Sequence, residues 1–305
     1  MKNTERGAMT MDRKKTENNI FDTALIFEGG GMRASYTAGV VNVLLENELY
    51  FDFVAGISAG ASHSVNYLSR DEQRARRCFT EIVKSADFGG KSHMLRGNGY
   101  FNAHWIYEQT GLPGGVLPFD FDAFCQNPAK LRIGAVNRQS GELIYWKGED
   151  MHSLQDLMRK VRTSSTIPFF MPPIDIDGQV YVDGGLAGGI ALDVAKQAGY
   201  EKFFIVRTRT RDYRKGPLKH EKLLRWYFKK YPEMLKIMLK RHEKYNATLD
   251  EIERLEQQKK AYVFIPRNMP VDSMERDYDK LTKCYEMGYR QAKDELPAWK
   301  AFLKR

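Results

Sequence analysis

The sequence predicts an α/β fold in which helices cover the faces of a mainly parallel central sheet. Two observations carry that prediction. Short apolar runs ending in glycine alternate with amphipathic stretches, and strand–turn–helix order of this kind places successive strands parallel. The composition is also that of a packed chain: of 305 residues, 42% are hydrophobic and 12% aromatic, well outside the disordered range.

The elements follow in order. Residues 23–28 form an apolar run that breaks at Gly29-Gly30-Gly31, a buried strand entering a glycine-rich turn. A helix is expected over about residues 33–49, with Val40, Val41, Leu44 and Leu45 at helical spacing. A second strand, residues 53–56, runs into Ile57-Ser58-Ala59-Gly60, and another helix starts at Ala59. Residues 71–85 read as helical, 87–101 as a glycine-rich loop, and 102–128 as an irregular excursion or lid. Residues 131–137 and 143–146 form a hairpin through Ser140-Gly141. Residues 153–164 form a helix capped by Ser153. Pro168, Pro172 and Pro173 then exclude regular helix. A short strand at 180–182 ends in Asp183-Gly184-Gly185. After it come a helix at 190–198, strands at 203–206 and 262–265, and a polar helical tail.

Residues 1–21 are polar and charged and are expected to form a flexible tail, with one domain over 22–305 whose 207–305 part is basic and mainly helical. The start of the chain has no apolar core of a secretory signal, and no run reaches the roughly 18 apolar residues of a membrane span. A cytoplasmic protein is expected, at most peripheral to a membrane. Three scattered cysteines, Cys78, Cys125 and Cys284, argue against a disulfide framework and for a reducing compartment.

The first chemical candidate is Ser58. Gly56-Ile57-Ser58-Ala59-Gly60 places a serine between small residues at a strand-to-helix turn, which lifts its hydroxyl off the sheet beside a helix N-terminus. The bland alternative is a serine N-cap between structural glycines. The second candidate is the Gly29–Gly31 loop, whose backbone can approach a substrate closely and aim several N–H groups at one oxyanion. The same residues also satisfy a relaxed dinucleotide pattern, Gly29-x-Gly31-x-x-Ala34, but the acid expected at the end of the next strand is missing. The third candidate is Asp183, at the end of a strand, a good position for a base in a parallel α/β sheet. Asp-Gly is equally a common turn pair. A histidine base could be sought at His220 or His242, which fit the chain order of an α/β-hydrolase. Too few strands precede Ser58 for that fold.

Together, Gly29-Gly30-Gly31-Met32-Arg33, Gly56-Ile57-Ser58-Ala59-Gly60 and Asp183-Gly184-Gly185 resemble the patatin-like phospholipases, particularly the bacterial members, over about residues 24–206. Ser164-Ser165-Thr166-Ile167-Pro168 resembles the segment before that family's aspartate strand. The resemblance implies a three-layer α/β/α fold and hydrolysis of lipid acyl esters by a Ser–Asp dyad without a catalytic histidine. Ser58 then matches the nucleophile, Asp183 the base, Gly29, Gly30 and Gly31 the oxyanion hole, and Arg33 the basic residue closing the glycine motif, with Ala59 a further amide donor. Ala34 stands where the family usually has glycine. The scheme needs no metal and no cofactor. Alternatives are an acyltransferase using the same dyad, a silent lipid-binding module, or a nucleotide-binding protein built on the glycine loop.

The net charge is +9, and residues 207–244 hold fourteen lysines and arginines against four acidic residues, a difference of +10. Within 218–244, Leu224, Tyr227, Phe228, Tyr231, Leu235 and Met238 fall at helical spacing. Such a segment either docks on anionic lipid or packs an apolar face on the core with its basic face in water. No nucleic-acid-binding motif accompanies the charge.

Overall fold

The computed structural model describes residues 17–90, 93–94, 99–219 and 221–304. Its strands are β1 (Thr23–Phe27), β2 (Phe53–Ile57), β3 (Lys130–Asn137), β4 (Leu143–Lys147), β5 (Ile174–Ile176), β6 (Gln179–Asp183), β7 (Lys202–Val206) and β8 (Ala261–Phe264). Its α-helices are α1 (Ala34–Glu46), α2 (Ala59–Leu68), α3 (Glu72–Arg77), α4 (Phe121–Gln126), α5 (Leu154–Ser164), α6 (Leu192–Gln197), α7 (Glu221–Tyr227), α8 (Pro232–Gln257) and α9 (Tyr278–Leu303).

The sheet core β3-β2-β1-β7-β8 is parallel throughout. Its strands are buried on both faces, as a covered parallel sheet requires. Along β1, Leu25 and Phe27 join the cluster that contains α1 and α9, while Ala24 and Ile26 join the cluster that contains α6 and α8. The alternation repeats in β7, with Phe204 and Val206 on one face and Phe203 and Ile205 on the other. This is the expected three-layer α/β/α arrangement. The closing helix is more than a polar tail: α9 buries Leu281, Cys284, Ala292 and Trp299. It crosses α1 so closely that a Cβ on Gly288 would lie 1.9 Å from the Tyr36 carbonyl oxygen.

β3 is the pivot of the site. Gly134 faces Ile57 of β2 and Tyr145 of β4; Ala135 faces Ile144 of β4 and Asp183 of β6. A strand has two edges, so β4 takes one, and β2 and β6 share the other end to end. β2 runs along that edge and stops at Ile57. β6 runs antiparallel to β3 from the far end and stops at Asp183, one register position beyond. The sequence argument put Asp183 at the end of a strand of a mainly parallel sheet; that strand, β6, is itself antiparallel to β3 and pairs with it where β3 overshoots β2.

Other departures have local causes. The helix expected over 71–85 stops after α3, where Thr80 turns its hydroxyl back to the Arg76 carbonyl at 3.0 Å, a side-chain bond that competes with helix propagation. A 3₁₀ turn, Glu81–Lys84, follows. The excursion at 102–128 contains a π-helical segment, His104–Gln109, and α4. It packs onto the main core through Leu117, Phe119 and Phe124 rather than lying loose. β5 follows the paired prolines and was not expected. Residues 1–16 of the expected tail, residues 91–92 and 95–98 of the expected loop, and His220 lie outside the described residues. Ile20 is buried and bridges Phe51, so packed structure reaches back before Asp22. Among the described residues no helix is long and apolar enough to cross a membrane.

Candidate active site

Ser58 sits at φ 58° and ψ −126°, a conformation that costs a non-glycine residue about 1–3 kcal/mol. The surrounding packing enforces it. A Cβ on Gly56 would lie 2.2 Å from the Gly60 carbonyl oxygen, so strand end and helix start press together. The Ser58 N–H donates to Ser164 Oγ at 2.9 Å, and that hydroxyl donates to the Gly134 carbonyl at 2.6 Å. Ser164 thus braces the turn against β3. Removing it would leave a buried donor and acceptor unmatched. Ser164→Ala is expected to lower stability by about 1–3 kcal/mol and to reduce kcat more than KM. Thermal melts and steady-state kinetics check this; an unshifted melt would show that the brace is dispensable.

The Ser58 hydroxyl donates to Asp183 Oδ2 at 2.9 Å, and both residues are buried. The other carboxylate oxygen, Oδ1, accepts from the Gly185 N–H at 2.6 Å, while the Asp183 N–H donates to the Thr166 carbonyl at 2.9 Å. Burial pushes the Asp183 carboxyl up from its ordinary value, and the Gly185 N–H, Arg241, Ser58 and Lys215 pull it back. Among the described residues no histidine bonds to Ser58 or Asp183. His63 lies within the core, its Nε2 within 2.9 Å of Thr37 Oγ1 and 3.1 Å of the Ala34 carbonyl, and burial pushes it down to about 3. His242 lines the site cavity, with its Nδ1 3.0 Å from the Leu239 carbonyl.

The glycine loop lies against this pair. A Cβ on Gly29 would meet Ser58 Cβ at 3.0 Å, and one on Gly31, at φ 57°, would meet the Ser273 carbonyl oxygen at 2.4 Å. Not every amide expected to serve an oxyanion is available. Gly29 N–H donates to the Gly189 carbonyl at 3.1 Å, which docks the loop on its neighbour. Among the described residues the N–H groups of Gly30, Gly31 and Ala59 have no partner. Arg33 is only 9% exposed, and burial with Arg209 nearby pushes it down to about 10, still cationic at neutral pH.

Two cavities meet at Ser58. One is apolar, lined by Met32, Val65, Phe79, Phe88, Ile106 and Met158. The other is polar and contains Asp183, Arg33, Arg209, Lys215 and Arg241. Ser58, Gly31, Ile167 and Ser273 belong to both. The basic segment divides between core, cavity and surface. Phe228, Met234, Leu235 and Met238 pack with Val136 and Val182. Leu223, Trp226 and Tyr227 are 60%, 73% and 50% exposed. Sequence reasoning did not foresee Ser164 as a brace or Arg209, Lys215 and Arg241 as cavity walls; the signal for those three was the charge excess of residues 207–244. Among the described residues no group of three or more His, Cys, Asp or Glu could hold a metal ion.

Comparison with known proteins gives the same direction. A family model described as patatin-like phospholipase matches residues 25–196, and one described as a domain of unknown function, DUF6363, matches residues 231–304. The uncharacterized protein YjjU of Escherichia coli is 25% identical over 224 residues, 72% of this chain and 61% of that protein. Patatin-like phospholipase domain-containing protein 6 of Homo sapiens is 23% identical over 312 aligned positions, 94% of this chain and 21% of that protein. Lysophospholipase NTE1 of Meyerozyma guilliermondii is 24% identical over 301 positions, 91% of this chain and 19% of that protein. The chain thus spans less than two thirds of the length of these relatives.

Proposed function

This chain belongs to the patatin-like phospholipase family, and from that membership we propose that it is a serine lipid acyl hydrolase of the phospholipase A, lysophospholipase or esterase type. The observation that carries the reading is the buried 2.9 Å hydrogen bond from Ser58 Oγ to Asp183 Oδ2, at a turn where free amides and an apolar cavity converge. Asp183 takes the Ser58 proton as Oγ attacks the ester carbonyl. The amides of Gly30 and Gly31, with that of Ala59, hold the oxyanion, and the proton passes to the leaving alcohol. Water then attacks the acyl-enzyme with Asp183 again as base, and the fatty acid leaves. The same intermediate passed to an alcohol would make the enzyme an acyltransferase. Domain 22–305 is read as one catalytic unit, because α9 packs on α1 and residues from 207 onward wall the site.

The test is a chromogenic acyl-ester series of increasing chain length. Wild type is expected to prefer the longer chains, which the apolar lining beside Ser58 favours, and Ser58→Ala to lose about 10⁴-fold or more in kcat. A wild type inactive on every ester would sink the reading.

Peripheral contact with an anionic membrane through residues 218–244 belongs to the same proposal. Leu223, Trp226 and Tyr227 offer apolar anchors, and Lys222, Arg225, Lys229 and Lys230 surround them in sequence. Basic residues near an anionic surface contribute about 1 kcal/mol each. Reversing Lys229 and Lys230 to glutamate is therefore expected to weaken sedimentation with phosphatidylglycerol vesicles about tenfold or more. Unchanged binding would remove this segment from the lipid surface.

A further inference from the structure

We propose that the polar cavity beside Ser58 recognises a phosphomonoester, so that the preferred substrate is an acyl ester carrying a dianionic phosphate headgroup rather than a zwitterionic one. The inference rests on the hydrolase reading above and names its substrate class.

Arg33, Arg209, Lys215 and Arg241 are four of the five lysines and arginines that wall this cavity, Lys219 being the fifth. Among the described residues none of them makes an ion pair with a carboxylate. The buried Nε atoms of Arg33 and Arg241 have no hydrogen-bond partner there. Aromatic faces hold two of the four in place: the Arg209 guanidinium lies 4.2 Å from the Tyr213 ring centre and the Lys215 ammonium 4.5 Å from that of Tyr245. Cation–π contacts orient a charge without neutralising it. Desolvation, then Arg241, pushes Lys215 down to about 7 against the opposing pull of Glu28, the response of a buried cation crowded by others.

The cavity's two carboxylates are already committed. Glu28 accepts from Thr208 N–H at 2.7 Å and from the Tyr245 hydroxyl at 2.5 Å. Asp183 accepts from Ser58 and Gly185. Each oxygen of these carboxylates already accepts one hydrogen bond, and the rings that could receive a choline group, Tyr213 and Tyr245, are already covered by Arg209 and Lys215. A zwitterionic headgroup would set its ammonium among cations that outnumber the cavity's two carboxylates. A phosphate dianion there would instead accept charge-assisted hydrogen bonds. With the acyl chain in the apolar cavity, the ester carbon falls between the two, beside Ser58. Hydrolysis breaks the acyl carbon–oxygen bond: water supplies hydroxide to the acyl carbon and a proton to the alcohol. The products are a fatty acid and a phosphorylated alcohol, and the phosphoester stays intact.

Arg209 is the residue to vary, because it is half-buried and lies outside the Ser58–Asp183 contacts. Wild type is expected to hydrolyse lysophosphatidate at least about tenfold more efficiently than lysophosphatidylcholine or monoacylglycerol of the same chain. Arg209→Gln should remove that preference, about 10- to 100-fold, through KM. It should leave kcat/KM on a short neutral chromogenic ester within about twofold, and Arg209→Lys should restore part of the loss. A second arm uses Ser58→Ala, whose residual turnover is slow against a titration: it should bind lysophosphatidate more tightly than lysophosphatidylcholine by titration calorimetry. Inorganic phosphate should bind far more weakly than the lysolipid. If phosphate alone binds as well, the cavity serves free phosphate and the substrate assignment is overturned. Equal rates on all three lipids with Ser58-dependent turnover of the neutral ester overturn it too, while leaving the hydrolase reading intact. If no ester is turned over, the hydrolase reading falls, and indiscriminate binding by Ser58→Ala would overturn the headgroup assignment independently.

Discussion

Replacing Ser58 by alanine is expected to lower kcat on a long-chain chromogenic ester by about 10⁴-fold or more, the loss typical when a serine nucleophile is removed. Other hydroxyls line the two cavities, Ser62, Ser165 and Ser273 among them, but the Ser58 hydroxyl is the one that bonds Asp183. It also sits next to the free amide of Ala59, with the free amides of Gly30 and Gly31 on the loop packed against it. Those amides remain in the variant, so a small residual rate above water is expected. Activity above about 1% of wild type would mean that another group attacks the ester. A glycine variant separates chemistry from backbone strain. At φ 58° alanine inherits the strain and glycine relieves it, so Ser58→Gly should be equally inactive yet melt at a higher temperature than Ser58→Ala. Equal melting temperatures would place the strain elsewhere.

The parallel core was legible because its strands are short apolar runs closed by glycine, and burial on both faces leaves little else for such runs to be. The Ser58 turn was legible for a related reason, since Gly56 and Gly60 are forced by backbone contact that no side chain survives. What the sequence could not disclose is a matter of direction in space. The pattern at residues 179–183 is the same whether β6 runs parallel or antiparallel, and only its pairing with the distant β3 decides which. Likewise, the hydrophobic spacing in 218–244 cannot say which apolar side chains turn inward. Phe228 and Met238 enter the core while Trp226 stays in water, because the chain bends between α7 and α8 ahead of Pro232. The lysines and arginines of 207–244 carry no mark that sends Arg209, Lys215 and Arg241 toward the nucleophile and Lys229 and Lys230 outward. Nor does spacing tell which glycine amide is spent on Gly189 and which stay free. Each of these depends on long-range contacts, and a local pattern carries no record of them.

Asp183→Asn is the sharper test of the dyad, because activity and stability should move in different directions. The amide cannot accept the Ser58 proton, so kcat should fall by about 10³–10⁴-fold. In wild type, kcat/KM should rise with pH as Asp183 ionises, with an apparent pKa above the ordinary carboxylate value, because burial raises it. The stability sign follows from the same shift. A carboxyl whose native pKa is raised binds its proton more tightly folded than unfolded. Its contribution is fully present below the unfolded value of about 3.9 and is lost as pH rises through the native value. At neutral pH the ionised, buried Asp183 is therefore a cost that Arg241 and Lys215 only partly offset. Asparagine removes that cost while its Oδ1 still accepts from Gly185 and its Nδ2 can donate to Ser58. The variant should be inactive yet melt no lower than wild type at pH 8, with its advantage shrinking toward pH 4. Full activity in Asp183→Asn would remove the carboxylate from the mechanism. A variant much less stable at pH 8, with the gap closing in acid, would mean that the cations of the polar cavity hold Asp183 as a stabilising anion. The headgroup site would then be partly filled by the enzyme's own base.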